Sequence, residues 1–101
     1  MSRRLELQSK LEELLGSENV YYQPPESVKI NYPGIVFNKT IPMVNHANNK
    51  IYSNKSCYEI IVMDKKPDND VINKILELPY CSYDRHYFSD NLNHDVLTLY
   101  Y

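Results

Sequence analysis

The chain has 101 residues, enough for one small domain spanning 1–101 and too few for two separate cores. At 43% hydrophobic and 24% charged residues, with a net charge of −2 and a pI near 5.9, it has a globular composition. That balance argues against a dedicated binder of DNA or of an acidic membrane surface. No apolar run approaches the roughly 20 residues of a membrane span. Met1-Ser2-Arg3-Arg4 leads into polar residues without a signal-peptide core, so the sequence reads as soluble and intracellular.

In chain order, Leu7, Leu11, Leu14 and Leu15 recur at helical spacing, with Ser2 placed to cap the helix and Gly16 to stop it. The polar side of that helix carries Arg4, Gln8, Lys10, Glu12 and Glu13, which sets its leucines against a sheet. Asn19-Val20-Tyr21-Tyr22-Gln23 reads as a short strand ended by Pro24-Pro25. Pro33-Gly34 marks a turn before a β-branched and aromatic strand, Ile35 to Thr40. The polar run Asn45-His46-Ala47-Asn48-Asn49-Lys50 has no apolar periodicity and reads as an exposed loop or hairpin tip.

Ser56 to Met63 is nearly apolar toward its end and predicts a central strand covered there on both faces. A charged connection, Asp64 to Asp70, follows, in which Asp68 or Asp70 can cap a second helix built on Val71, Ile72, Ile75, Leu76 and Leu78 and ended by Pro79. Two strands complete the chain, Cys81 to Phe88 and Val96 to Tyr101, joined by the turn-forming residues Ser89 to Asp95. The order α, β, β, β, α, β, β predicts an α+β domain: a mainly antiparallel sheet of about four to five strands with two helices packed on it.

Motifs for chemistry are sparse. His86 and His94 with Asp84, Asp90 and Asp95 supply metal-ligand types, but they stand apart with an intervening turn and no third nitrogen or thiolate ligand. Asp84-Arg85-His86 fits local charge-assisted hydrogen bonds on a strand, and Asn93-His94-Asp95 fits a turn. Asp68-Asn69-Asp70 lacks the glycine and distant glutamate of a calcium loop. With Gly16 and Gly34 the only glycines, there is no phosphate loop and no nucleophile elbow. Cys57 opens an apolar strand, where an inert buried thiol is the default, and Cys57 and Cys81 have no metal-type spacing. No catalytic residue, cofactor or metal is expected. Ten tyrosines, eleven asparagines and a single alanine, Ala47, fit a protein rich in interfaces, and equally an AT-rich genome with half-buried strand tyrosines.

Several stretches together resemble one family. These are the helix closing at Leu15-Gly16, Asn19-Val20-Tyr21-Tyr22-Gln23-Pro24-Pro25, the Tyr32-Pro33 pair, and Tyr83-Asp84-Arg85-His86-Tyr87 followed by Asp90-Asn91-Leu92-Asn93-His94-Asp95. Nearly the whole chain is similar to the tail terminator, tail completion or head-tail joining proteins of tailed bacteriophages and prophages. The resemblance implies a virion protein of the tail or neck, assembled in the host cytoplasm. Its subunits form a homo-oligomeric ring, hexameric by the resemblance, that ends polymerisation of the tail tube and joins tail to head. Its partners would be the tail tube protein and head-completion or connector proteins, with DNA only passing through the channel and no membrane involved. On that reading the polar loop, through Asn45, His46, Asn48, Asn49, Lys50 and Tyr52, contacts the tube or a neighbouring subunit. Asp84, Arg85, His86, Asp90, Asn91 and His94 make polar contacts between subunits. The alternatives are a head-closure or connector neck protein, a small nucleic-acid-binding regulatory module, and a metal-dependent enzyme using the histidine and aspartate residues near the C-terminus.

Overall fold

A computed structural model describes residues 3–25, 27–40, 56–66 and 69–101. Helix α1 (Arg3–Leu15) is followed by strands β1 (Val20–Tyr22), β2 (Gly34–Thr40) and β3 (Cys57–Asp64). Helix α2 (Val71–Leu76) and strands β4 (Cys81–Ser89) and β5 (Leu92–Tyr100) complete the chain. The five strands form one sheet in the order β1-β2-β3-β5-β4. Only β1 and β2 run parallel; every other pair is antiparallel. The fold is therefore α+β with a mostly antiparallel sheet, and both helices join its core.

The leucine stripe explains why α1 docks. Leu7 and Leu11, one turn apart, are fully buried, and Leu14 and Leu15 pack at the margin of the same core. Gly16 ends the helix at φ +77, with its own N–H and that of Ser17 both donated to the Glu12 carbonyl at 2.8 and 3.2 Å. A residue with a Cβ is strained at that φ, so glycine is the natural stop. The predicted Ser2 cap lies outside the described residues. At the start of α2 the aspartate expectation is corrected. Asp70 occupies the cap position without a side-chain cap bond, and the Val71 N–H instead donates to Asn69 Oδ1 at 2.9 Å. Asp68 is outside the described residues.

Strand alternation sorts the sheet into two faces. Ile35, Phe37, Tyr58, Ile60, Val62, Leu97 and Leu99 lie on the face that meets Leu7, Leu11, Val71 and Ile75 in one apolar core. Each fully buried side chain of this size stabilises the fold by about 1.5–3 kcal/mol relative to exposure. Phe37 sits between Tyr22 and Tyr58, with ring centroids 5.0 and 6.0 Å away. The opposite face carries Val36, Cys57, Ile61, Met63 and Val96 and has no helix among the described residues. Gly34 opens β2 where a Cβ would come within 2.5 Å of the Asn31 carbonyl oxygen, so no larger residue fits there.

The sequence placed a long turn between the last two strands; the structure shortens it to two residues. Asp90 and Asn91, at φ 54 and 63, form the loop, and Ser89 faces Leu92 across it. Both positions need the left-handed region, which Asp and Asn tolerate better than other side chains. Asn93-His94-Asp95 is consequently strand, not turn, and β5 begins four residues earlier than its apolar composition suggests.

Candidate interaction surface

The two edges of the sheet differ. At the β1 edge, the Val20 N–H donates to the Glu18 carbonyl at 2.7 Å, and Gln8 Nε2 from α1 donates to the Val20 carbonyl at 3.4 Å. At Val20, then, both outward backbone groups of this three-residue edge are already bonded. At the other edge, β4 runs for nine residues, and all of them but Cys81 are exposed. Tyr80, Tyr83, Tyr87 and Phe88 are large exposed side chains on or beside this strand, Phe88 at 63%.

Of the predicted contact residues, Asn45, His46, Asn48, Asn49, Lys50 and Tyr52 lie outside the described residues. The others gather on the β4–β5 hairpin. Asp84 and Arg85 form a salt bridge of 2.7 Å, as their adjacency suggested. Arg85 faces Val96 and Tyr83 faces Leu97, so Asp84 is an extra residue, a β-bulge in the edge strand. Asp90 and Asn91 form the exposed turn. His86 and His94 occupy neighbouring positions across the hairpin, since His86 faces Asp95 and Tyr87 faces His94. Strand alternation puts them on opposite faces. Eight positions of separation are thus no barrier to proximity in a hairpin; the pleat is what separates the two rings. Among the described residues no three His, Cys, Asp or Glu side chains are grouped to hold a metal ion.

Each face of the hairpin has its own cluster. On the helix-bearing face Tyr83 Oη donates to Asp95 Oδ1 at 2.6 Å, and Asp95 is only 7% exposed. This bond, with smaller contributions from desolvation and the Asp95 charge, pushes the Tyr83 phenol up to about 12. Beside it, His86 Nε2 pairs with Asn93 Oδ1 at 3.1 Å. Asn93, 8% exposed, donates through Nδ2 to the carbonyls of Lys65 at 3.3 Å and Asp64 at 3.5 Å. Asp64 in turn accepts from Asn69 Nδ2 at 2.6 Å. A polar strap therefore runs from the edge strand through β5 to the start of α2. On the opposite face Tyr87 stacks on His94, centroids 4.6 Å apart and planes at 9°, with Arg85 Cζ 5.9 Å from the Tyr87 ring centre. His94 is oriented by a 3.1 Å contact between its Nδ1 and the Leu92 carbonyl.

Asn93, Asp95, Tyr83, Tyr87 and Phe88 belong to this hairpin's clusters or its exposed edge but are not among the contact residues expected from the sequence. Strand alternation would have found the last three; the buried pair has no local signature. Both cysteines are free thiols. Burial raises Cys57, and pushes Cys81 up to about 11, so neither is activated as a thiolate at neutral pH. The arrangement offers an open strand, aromatic faces and paired charges, which are the elements of a protein–protein contact. No family model, curated protein or solved structure matches the chain.

Proposed function

We propose that this protein is a structural subunit of a tailed phage or prophage virion, a tail terminator whose copies assemble into a ring at the head-proximal end of the tail tube. The ring ends tube growth and joins tail to head. The observation that carries the reading is the β4 edge, an aromatic strand exposed along nearly its whole length in so small a domain. Surface of this kind is covered in a working assembly. A net charge of −2 suits a subunit beside a channel through which DNA slides without sticking. Electron microscopy of the purified protein, alone and with tail tubes, tests the proposal. Rings of uniform size at tube ends are expected; a protein that stays monomeric and leaves tubes unbound overturns it. Rings that bind the portal side instead assign it as a head-closure protein.

A second reading draws on the Arg85–Tyr87–His94 stack, since flat rings beside a guanidinium also make a platform for nucleic-acid bases. Its measurement is a salt-dependent mobility shift with single-stranded DNA or RNA. The acidic balance of the chain places it second.

A further inference from the structure

We propose that two copies of this chain pair through their β4 strands, edge to edge and antiparallel, in one register that sets Asp84 of each copy against Arg85 of the other. The contact is two-fold, whereas a ring closes head to tail, so a ring built from these pairs closes through a surface other than the β4 edge; the pairing starts from the same exposed edge as the virion reading but does not depend on the ring.

Edge chemistry selects the partner. Continuing the sheet head to tail requires two open edges, and the β1 edge has its Val20 N–H and carbonyl bonded to Glu18 and Gln8. Only β4 is open along its length among the described residues, and an edge with no complement elsewhere in the chain can pair with a copy only through itself.

The bulge then selects the register. Cys81 and Tyr83 lie on the helix-bearing face with Leu99 and Leu97; beyond the bulge, His86 and Phe88 lie on that face with Asp95 and Asn93. Ser82 and Tyr87 lie on the opposite face with Thr98 and His94, and Asp84 and Arg85 share the space opposite Val96. A two-fold axis perpendicular to the sheet must match like faces. With the axis between Asp84 and Arg85, every pair across the contact obeys this rule. Cys81 meets Phe88 of the second copy, Ser82 meets Tyr87, Tyr83 meets His86, and Asp84 meets Arg85. Shifting the register by one or two residues either way sets a residue of one face against a residue of the other at the centre.

Hydrogen-bond parity agrees. Ser89 and Leu92 flank a two-residue turn and the Tyr100 N–H donates to the Tyr80 carbonyl, so alternation directs the backbone of Cys81, Tyr83, His86 and Phe88 outward. Those are the residues the register sets opposite one another. Charges agree as well, because the central pair is acid against base twice over, and Phe88, the most exposed large hydrophobic side chain among the described residues, finds a partner.

Sedimentation and covalent trapping test this. Wild type should associate as its concentration is raised. Arg85→Asp, which sets four carboxylates around the axis, should weaken the pairing about tenfold or more. The double exchange Asp84→Arg with Arg85→Asp should restore it, because only this register exchanges the two charges between copies. A chain carrying both Ser82→Cys and Tyr87→Cys should form disulfide-linked dimers on mild oxidation, and Ser82→Cys alone should not. Trapping reads the contact even where rings form through another surface, so failure here and failure of ring assembly are told apart. A wild type that is monomeric at millimolar concentration, an Arg85→Asp variant that associates normally, a double exchange that fails to rescue while remaining folded by circular dichroism, or absence of the trapped dimer would each overturn the proposal.

Discussion

β4 and β5 are neighbours of equal length in one hairpin, yet they have opposite characters. Of the nine residues in β5, six are buried, including Val96, Leu97 and Leu99 at 0% exposure, while β4 buries none. Composition does not explain this, since β5 holds Asn93, His94, Asp95 and Thr98, and β4 holds Cys81, Tyr83, Tyr87 and Phe88. Position in the sheet does. β5 lies between β3 and β4 with the helices over one face, so its polar groups must find partners inside the protein. β4 has a neighbour on one side only, and its aromatic side chains remain at the surface. A strand's place in the ladder, more than its hydrophobicity, sets what it can be used for.

The largest expected break in this contrast is Leu97→Ala in β5. Emptying a fully buried site costs about 2–5 kcal/mol, and chemical denaturation should show that loss, whereas Ser82→Ala on β4 should stay within about 0.5 kcal/mol of wild type. Next comes Asn93→Ala. Cutting the strap leaves the carbonyls of Asp64 and Lys65 and the His86 ring without the Asn93 amide, a cost of about 1–3 kcal/mol by the same measurement.

A smaller effect sharpens the coupling between the strands. The Tyr83 phenol is raised in the fold from 10.0 to about 12, so the neutral form is the one the folded state favours. The stability this contributes is complete below pH about 10 and is lost as pH rises through about 12. In Asp95→Asn the carboxylate acceptor is gone, and ultraviolet titration should show one more phenol ionising in the ordinary tyrosine range. A late-titrating tyrosine that persists in that variant would place the cause elsewhere. Smallest of all, Tyr87→Ser should leave the unfolding midpoint of the monomer nearly unchanged, because an exposed ring on an edge strand contributes little to the core.

The element order and the α+β class were legible in the chain because their signals are local. Leu7 and Leu11 repeat with the helix, Gly16 stops it, and β-branched runs mark β2 and β3. The beginning of β5 was not legible. Leu92-Asn93-His94-Asp95 has the composition of a turn, and what makes it strand is remote: Asn93 reaches carbonyls 28 and 29 positions away, and Asp95 receives Tyr83 from the adjoining strand. At the start of helix α2 Asp70 holds the expected cap position, but the side-chain bond comes from Asn69, which serves both Asp64 and Val71. At the candidate surface, Asp84, Arg85, His86 and His94 were picked out by type, but their division between two faces depends on a bulge that no pattern of residues announces.

Gln8 has a role larger than its single 3.4 Å bond suggests. A sheet with two vacant borders can add strands without end, the route by which folded domains run into fibres. With the Val20 carbonyl taken by Gln8 and its N–H by Glu18, association at the far border would be self-limiting. Gln8→Ala would remove that safeguard, and slow thioflavin-positive aggregation on storage is its expected mark.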